Sequence, residues 1–495
     1  MTNNDSLAIG LDLGTSGIKA LAIDSVGNVV GRASATYPTH RPEHGAAEQD
    51  PNDWIRARDM ALLDLSSQTD ATRWGVIALS AMLPTLVEIH PDGHALSPAI
   101  TWEDGRAESD AQRIIDDAGE AFIYRTTGQR LDGRYLLPMH NRLARSGAHD
   151  DTIVSGAKDF LFASLTGILQ TDPSTATGYG AYSLAADSWN ESILTAASMT
   201  VSRLPTIAAA TSSAPLLDAA AKLWGCPSGI PVLLGAADSV LGAYGLGVNS
   251  PETVAYIAGT STVILGWSAA AEPDPQGRYL VTPMAENGYG LEMDLLATGS
   301  ALAWLAGLFG MNDTAALVAL AGDGSIPDSP LVLPYLTPGE QGALWDSTLQ
   351  GAIHGVTLRT TRSDLARGLL AGIVMESCRC LSALSERDIT GRGSIVISGR
   401  GGTSAAFRQA LADASGRVVL HDPSEHDHSA LGAALLGGRS VLGWTDSQEV
   451  RGRFVAAHPD HAATNAWSRR LERYERARTT QSAWLSQPDS TETRK

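Results

Sequence analysis

Residues 7–24 read Leu-Ala-Ile-Gly-Leu-Asp-Leu-Gly-Thr-Ser-Gly-Ile-Lys-Ala-Leu-Ala-Ile-Asp, and this stretch decides the fold. The apolar run 7–12 ends in the turn Gly14-Thr15-Ser16, and strand-like composition resumes at 18–24 and again at 29–35. Apolar runs that are separated by glycine and small polar residues predict strands joined by tight turns. The chain is therefore predicted to open with an antiparallel β-meander.

The same plan recurs in the second half of the chain. The apolar run 254–258 leads into Gly259-Thr260-Ser261, and residues 263–265 are predicted to form the next strand. Each hairpin is predicted to open one of two related domains. Asn, Ser and Pro cluster around residue 249, so we place the boundary there. The predicted domains are 1–248 and 249–440, followed by a helical extension and tail at 441–495.

Helical patterns lie between the predicted strands, which indicates an α/β class. Asp50 followed by Pro51 is typical of a helix N-terminus, with Asp50 as the cap. Apolar residues at helical spacing predict a second helix over 362–385. Cys378 and Cys380 lie on this helix and are predicted to pack in the protein core. The sequence further predicts an Arg-rich helix between Trp467 and Trp484.

Composition excludes several functional classes. The chain has 495 residues, of which 43% are hydrophobic, so it can bury two large cores. Its formal net charge of −18 argues against a nucleic-acid partner. Three scattered cysteines indicate neither a disulfide framework nor a zinc site. We found no signal-peptide pattern and no stretch long enough to span a membrane, so the prediction is a cytoplasmic protein without a membrane partner.

The two Gly-Thr-Ser turns are candidates for phosphate binding. Such turns present backbone N–H groups and hydroxyls, and glycine lets a phosphate approach. Asp12 stands beside the first turn, where a carboxylate would repel phosphate unless a metal lay between them, which suggests Mg²⁺. Either turn alone is more often an ordinary hairpin, but the repetition and Asp12 together favour a nucleotide site.

Two further turns are candidates. Asp238 follows an apolar run and small residues, and it could serve as the base that a phosphoryl acceptor needs. Taken alone, it could equally be a helix cap. The strand–turn–helix pattern around Gly399-Arg400-Gly401-Gly402-Thr403-Ser404 suits a nucleotide but matches neither a Walker A loop nor the dinucleotide fingerprint. The His- and Asp-rich stretch 421–428 is better explained as a solvated loop than as a metal site.

The ordered set of motifs resembles the FGGY family of carbohydrate kinases from about residue 6 to about residue 440. The set comprises Gly10-Leu11-Asp12-Leu13-Gly14-Thr15-Ser16, Glu48-Gln49-Asp50-Pro51, Trp102-Glu103-Asp104-Gly105-Arg106, Leu165-Thr166-Gly167, Thr171-Asp172, Gly235 to Asp238, Gly259-Thr260-Ser261, Gly399 to Ser404 and Leu431-Gly432-Ala433-Ala434. Within the family, the sequence is most similar to xylulokinases, with gluconate kinases close behind.

The resemblance implies a fold and a reaction. It implies an α/β protein with two actin-like (ribonuclease-H-like) domains flanking a deep catalytic cleft, in which the first domain mainly binds sugar and the second mainly binds ATP. The expected activity is transfer of the γ-phosphate of ATP, with Mg²⁺, to a small sugar or polyol. The family also allows for a homodimer.

The resemblance also implies roles for individual residues. Asp238 corresponds to the catalytic base, and Asp12 to the aspartate on the metal and phosphate side. The expected acceptor-site residues are Leu83, Pro84, Trp102, Asp104 and Asp238. The expected ATP-binding residues are Thr15, Ser16, Lys19, Gly259, Thr260, Ser261, Gly299, Gly401, Gly402 and Ser404.

One departure bears on the substrate. Xylulokinases usually carry a Met-His pair where this chain has Leu83-Pro84, and a prolyl ring cannot replace the hydrogen bonds of histidine. The reaction class survives this change, whereas D-xylulose becomes a nominal acceptor beside gluconate, other pentuloses and polyols. An actin-like ATPase without an acceptor and an inactive sugar-binding regulator are the remaining alternatives. The presence of both Asp12 and Asp238 argues against the inactive regulator.

Overall fold

The computed structural model describes residues 5–145, 147, 152–322, 326, 328–337, 342–346, 348–386, 393–424, 427–445 and 454–485. The chain divides into two compact units. Unit 1 contains residues 1–249, 269–290 and 426–451, and unit 2 contains residues 250–268, 291–425 and 452–495. The first change of unit follows Asn249, whereas the segments 249–440 and 441–495 each contribute to both units.

Unit 1 takes most of its elements from the part of the chain before residue 250. The strands there are β1 (Leu7–Leu13), β2 (Gly17–Ile23), β3 (Val29–Thr36), β4 (Glu48–Gln49), β5 (Trp74–Ala81), β6 (Thr85–Ile89), β7 (Ala99–Thr101), β8 (Ile153–Gly156), β9 (Gln170–Thr171), β10 (Tyr182–Ser183), β11 (Ser188–Trp189), β12 (Thr206–Ile207), β13 (Ser213–Pro215) and β14 (Pro231–Ala237). The helices are α1 (Pro51–Gln68), α2 (Glu108–Ala118), α3 (Glu120–Thr127), α4 (Leu136–Ala144), α5 (Ala157–Thr166), α6 (Pro173–Thr177), α7 (Glu191–Ala196), α8 (Asp218–Trp224) and α9 (Asp238–Gly245).

The remaining elements follow residue 250. The strands are β15 (Thr253–Ala258), β16 (Thr262–Ser268), β17 (Leu280–Pro283), β18 (Tyr289–Leu295), β19 (Leu331–Leu333), β20 (Ala352–His354), β21 (Ser394–Ser398), β22 (Val419–His421) and β23 (Val455–Ala457). The helices are α10 (Gly299–Leu308), α11 (Thr314–Ala321), α12 (Arg362–Ser385), α13 (Ala405–Ser415), α14 (His428–Ser440) and α15 (His461–Leu485).

The main sheet of unit 1 has the strand order β13-β14-β5-β1-β2-β3. The predicted meander is present: β1 pairs antiparallel with β2, and β2 pairs antiparallel with β3. β5 and β14 then extend the sheet in parallel from β1. β1 is buried on both faces, since Ile9 and Leu11 belong to one core with Trp54 of α1, and Ala8 belongs to a second core with α14.

Glycine lets α14 lie directly on β1 and α9. A Cβ on Gly10 would lie 1.8 Å from the carbonyl oxygen of Ala430, and a Cβ on Gly432 would lie 1.9 Å from that of Leu241. Any side chain at either position would force the backbones apart. This contact explains why residues 426–451 belong to unit 1, although they follow most of unit 2 in sequence.

The sheet of unit 2 repeats the arrangement. β18, β16, β15, β21, β22 and β23 are hydrogen-bonded in that order. β15 pairs antiparallel with β16 and parallel with β21, just as β1 pairs with β2 and β5. The predicted relation between the two Gly-Thr-Ser hairpins therefore extends to the sheets around them.

The predicted helices are also present. α1 begins at Pro51, and the Asp50 side chain accepts a hydrogen bond from the Asn52 N–H. α12 covers 362–385, as predicted, and α15 covers the Arg-rich stretch. Cys226, Cys378 and Cys380 are buried, and no disulfide is present among the described residues.

The most apolar long helix is α12. Among the described residues it alone has the length and composition to cross a membrane, and 83% of its most apolar window is buried inside the protein. This finding corrects the expectation from the sequence that no stretch is long enough to span a membrane. Burial of α12 in a protein core explains its composition.

Candidate functional site

Asp12 and Lys19 face each other across the first hairpin. They are register partners on β1 and β2. Asp12 is buried, and its Oδ1 accepts a hydrogen bond of 2.6 Å from Ser80 Oγ on β5. Lys19 is more exposed, and its Nζ donates to Asp427 Oδ2 at 2.5 Å. The hairpin thus places an acid and a base at the same level of the sheet.

Asp427 is the N-cap of α14, and its Oδ1 accepts a hydrogen bond of 2.8 Å from the Ala430 N–H. Burial raises the pKa of Asp12 to about 8, and the negative charges of Asp427 and Asp238 add to the rise. Burial lowers the pKa of Lys19, but the carboxylates of Asp427 and Asp12 outweigh it and raise the pKa above its ordinary value. Three carboxyl groups and one ammonium group therefore share this part of unit 1.

Asp238 is the first residue of α9 and follows β14 directly. Its Oδ1 accepts a hydrogen bond from the N–H of Ser239, and its backbone carbonyl accepts one from Ser429 Oγ. The strand before it needs Gly235, which has φ of +70° and whose Cβ would lie 1.6 Å from the Leu79 carbonyl oxygen. This close approach of β14 to β5 fixes the path of the chain into Asp238.

The first Gly-Thr-Ser turn is held from several sides. The Gly14 N–H donates to the Gly17 carbonyl at 3.0 Å, which closes the hairpin. The Thr15 carbonyl accepts from Gln49 Nε2 at 2.8 Å, and its hydroxyl accepts from Trp102 Nε1 at 3.1 Å. Ser16 is exposed. Two of the family motifs, Gln49 and Trp102, thus meet at the turn instead of forming separate sites.

The remaining predicted acceptor residues differ in their surroundings. Leu83 and Pro84 are half-buried, and a Cβ on Gly178 would lie 2.6 Å from Leu83 Cδ1. Asp104 is only 2% exposed. Its oxygens accept hydrogen bonds from the guanidinium group of Arg106 and from the Ala47 N–H at 2.9 Å. These bonds to protein groups suit a residue that positions its neighbours.

The second Gly-Thr-Ser turn lies in unit 2 against the start of α10. The Gly259 N–H donates to the Ser261 carbonyl at 2.8 Å, and the Ser300 N–H donates to the Thr260 carbonyl at 2.9 Å. A Cβ on Gly299 would lie 2.2 Å from the Gly259 carbonyl oxygen. The structure therefore brings the predicted Gly299 to the predicted turn, where the N–H groups of a helix end are close to the exposed Gly259 and Thr260.

The glycine-rich turn between β21 and α13 lies in the same unit. A Cβ on Gly401 would lie 2.8 Å from Ala258 Cβ, and one on Gly402 would lie 3.1 Å from Ile397 Cγ1. Ser404 is the N-cap of α13, with its hydroxyl accepting from the Phe407 N–H at 3.2 Å. Gly401 therefore packs against the residue that immediately precedes the second Gly-Thr-Ser turn.

The carboxyl groups around Asp12 suit a magnesium ion that is also bound by substrate phosphates and water. Within the described part of the chain, no group of three His, Cys, Asp or Glu side chains is arranged to hold a metal. Magnesium is commonly bound by one or two carboxylates together with substrate phosphates and water, so it does not need such a group. The crowding of carboxylates around the buried Asp12 favours a cation there.

Sequence reasoning missed some of the residues in this region. Asp427 lies in the stretch 421–428, which the sequence analysis interprets as a solvated loop. Its position just before the helical pattern of α14 is nevertheless typical of an N-cap, and this signal could have identified it. Glu425 and His426 of the same stretch lie outside the described residues. The sequence analysis did not single out Lys158 or Ser174, because a single sequence does not show whether a polar side chain is buried.

Comparison with protein-family models gives two matches that together span most of the chain. The N-terminal domain of the FGGY family of carbohydrate kinases matches residues 7–245, and the C-terminal domain of the same family matches residues 254–441. The interval between the two matches contains the first change of unit, after Asn249.

Individual relatives agree with the family models. A xylulose kinase of Escherichia coli (strain K12) is 27% identical over 437 residues, covering 86% of this chain and 89% of the relative. A gluconokinase of Bacillus licheniformis is 25% identical over 481 residues, covering 92% of each chain. The crystal structure of a xyloylose kinase from Brucella ovis is 26% identical with a TM-score of 0.90, covering 97% of this chain and all of that one.

Proposed function

Because the chain belongs to the FGGY family of carbohydrate kinases, and is therefore a sugar phosphotransferase that uses ATP, we propose that its acceptor is a small open-chain sugar, nominally D-xylulose. The choice of acceptor rests on the similarity to a xylulose kinase, and the observation that carries the proposed chemistry is the group formed by Asp12, Lys19, Asp427 and Asp238 in unit 1. It supplies a base for an alcohol and charges suited to a phosphate–metal complex.

In this proposal Asp238 is the general base. Phosphoryl transfer needs a positioned hydroxyl and charge neutralisation more than covalent chemistry. A carboxylate at the start of a helix, beside small residues, can accept the hydroxyl proton as the bond to phosphorus forms. The alternative that Asp238 merely caps α9 is weakened, because Ala237 occupies the N-cap position and Asp238 is the first helical residue.

The phosphate side is assigned to Asp12, Lys19 and the two Gly-Thr-Ser turns. Asp12 is proposed to hold Mg²⁺, which when bound would offset negative charge on the phosphates. Lys19, Thr15 and Ser16 supply further donors in unit 1. In unit 2, the proposed ATP ligands are Gly259, Thr260, Ser261, Gly299, Gly401, Gly402 and Ser404.

A neutral acceptor is favoured over an aldonate by the pairing of nearby cations. Lys19 pairs with Asp427, Arg106 pairs with Asp104, Glu43 and Glu48, and Lys158 pairs with Asp172. A gluconate carboxylate would have to compete with these carboxylates for its counter-charge. The gluconokinase relatives nevertheless make gluconate the natural competitor in an experiment.

The test is release of ADP from MgATP by the purified protein with a panel of pentuloses, pentoses, polyols and aldonates. We expect D-xylulose to give the highest kcat/KM. A higher value with D-gluconate would overturn the proposed acceptor and leave the reaction class intact.

Asp238→Asn provides the control for the base. The amide keeps the size of the side chain but cannot take a proton, so kcat should fall by at least about 10³-fold. ATP binding, measured by isothermal calorimetry, should change by less than about threefold, because the substitution removes an interaction made mainly in the transition state. Near-normal turnover by this variant would mean that Asp238 is not the base.

A further inference from the structure

The last residues of β14 leave the regular ladder just before Asp238. β14 pairs in parallel with β5, and the register shifts between Leu233 and Ala236. Gly235 lies at the shift with a positive φ. A bulge of this kind redirects the strand and leaves backbone groups to be satisfied from elsewhere. The position of Asp238 therefore depends on whatever holds the bulge.

Lys158 binds the N-terminal end of the bulge, at Leu234. It lies on α5 and is 1% exposed. Its Nζ donates to the Leu234 carbonyl at 3.2 Å and lies 3.1 Å from Asp172 Oδ1. A buried ammonium group requires a charged partner as well as hydrogen bonds, and Asp172 meets the first need.

Ser174 binds the C-terminal end of the bulge, at Ala237. The hydroxyl of Ser174 donates to Asp172 Oδ2 and accepts a hydrogen bond of 2.9 Å from the Ala237 N–H. Asp172 and Ser174 are each 1% exposed. Ala237 precedes Asp238 directly, so this bond reaches the residue next to the proposed base.

We propose that Lys158, Asp172 and Ser174 are positioning residues for Asp238: they bind both ends of the bulged segment 234–237 from one buried network. Neither Lys158 nor Ser174 has to touch the acceptor. Because the network is shielded from water and its two anchors lie on opposite sides of Gly235, it restrains where the Asp238 carboxylate lies relative to an acceptor hydroxyl. The proposal rests on the assignment of Asp238 as the base.

Ser174→Ala is the main variant. It removes the acceptor for the Ala237 N–H, while Asp172 Oδ2 keeps the hydrogen bond of 2.9 Å from the Ser174 N–H. We expect kcat to fall by at least about tenfold with the KM for MgATP within about twofold, since small displacements of a reacting group cost rate more than ground-state binding. The acceptor in the assay is D-xylulose or D-gluconate, whichever gives the higher rate with the wild-type protein.

Thr175→Val is the matched control. The Thr175 hydroxyl donates to the other oxygen of Asp172 at 2.6 Å, and valine keeps its shape. This variant also loses a buried hydrogen bond to Asp172 but keeps the bond to Ala237. We expect its kcat to stay within about twofold of wild type, even if its thermal stability falls as much as that of Ser174→Ala.

A double-mutant cycle with Asp238→Glu separates positioning from general destabilisation. If Ser174 acts through Asp238, the combined loss in kcat should be clearly smaller than the product of the two single losses. The proposal would be overturned if the losses in kcat of the two single variants simply multiplied in the double variant. It would also be overturned if Ser174→Ala and Thr175→Val had equal kcat values. Should Ser174→Ala fail to fold, Ser174→Cys keeps the size with a weaker acceptor and should still lower kcat by about threefold or more; a wild-type kcat for it would also overturn the proposal.

The experiment distinguishes failure of this inference from failure of the proposed base. Loss of activity in Asp238→Asn together with wild-type kcat in Ser174→Ala refutes only the positioning network. Retained activity in Asp238→Asn refutes the base itself, and the positioning role falls with it.

Discussion

The two Gly-Thr-Ser hairpins share a backbone plan but differ in chemistry. Two residues before the first turn stands Asp12, which pairs across the hairpin with Lys19. Two residues before the second turn stands Ile257, which pairs with Val263. The first hairpin thus carries charged groups at positions where the second carries apolar ones. The repeat duplicates the proposed phosphate-binding turn. At these two positions only the hairpin of unit 1 carries an aspartate and a lysine.

Their neighbours differ in the same way. Side chains of Gln49 and Trp102 hold the first turn. The second turn is held by the Ser300 N–H and the close approach of Gly299, and the Thr298 hydroxyl adds a hydrogen bond of 3.5 Å to the Thr260 carbonyl. The first turn therefore depends on side chains from two other motifs, and the second depends mostly on the start of α10.

The largest expected effect is at the position that distinguishes the hairpins. Asp12→Asn keeps the size of the side chain and removes the charge proposed to hold Mg²⁺, so kcat should fall by about 10³-fold. Ile257→Val at the equivalent position should change kcat by less than about twofold, since it shortens an apolar side chain by one methylene. Steady-state kinetics with MgATP measures both. Equal losses would show that the two hairpins are not chemically distinct.

The next effect concerns backbone approach at the second turn. In Gly299→Ala the new Cβ would lie 2.2 Å from the Gly259 carbonyl oxygen, so the turn must shift. The KM for MgATP should rise by about tenfold or more, because the shift moves donors away from the phosphates. Gly307→Ala is the control in the same helix, since its Cβ would meet nothing within 4 Å. A KM unchanged in Gly299→Ala would argue against a nucleotide role for this turn.

A smaller effect is expected at Lys19. Lys19→Met removes the positive charge while keeping the aliphatic stem, and the KM for MgATP should rise about five- to tenfold. Lys19→Arg retains the charge and the pairing with Asp427, and should stay within about threefold of wild type. If the two variants behaved alike, the charge of Lys19 would not be what matters.

The smallest effect separates the two threonines. Thr15→Val and Thr260→Val each remove one hydroxyl, and each should raise the KM for MgATP by about two- to threefold. Only Thr15→Val also removes the acceptor of the Trp102 Nε1–H bond, so only this variant should change the fluorescence of Trp102. A fluorescence change in Thr260→Val of the same size would contradict the different surroundings of the two turns.

Much of the fold could be predicted because it depends on local patterns. The β-meander, the N-terminus of α1 at Asp50 and Pro51, and the bounds of α12 all follow from spacing and capping. The discontinuous course of the chain could not be predicted in this way. Residues 426–451 join unit 1 because Gly10 and Gly432 permit close backbone packing, and such a contact between distant positions leaves no local pattern.

The candidate site shows the same division. The sequence singled out Asp12, Lys19 and Asp238 one at a time, from their neighbours in the chain or from the family resemblance. It did not reveal that Asp427 pairs with Lys19, which lies 408 residues away in the chain. It also did not show that the motifs containing Gln49 and Trp102 converge on the first turn.

By itself, the sequence determined the family, the repeated hairpin and the residue types available for phosphoryl transfer, because turn formation, strand alternation and helix capping are encoded by residues close together in the chain. Only the tertiary structure decided which charges meet and which are buried. The raised pKa of Asp12 and the network that joins Lys158 to the residue before Asp238 depend on exclusion of water and on contacts between distant segments. Such contacts exist only once the chain has folded.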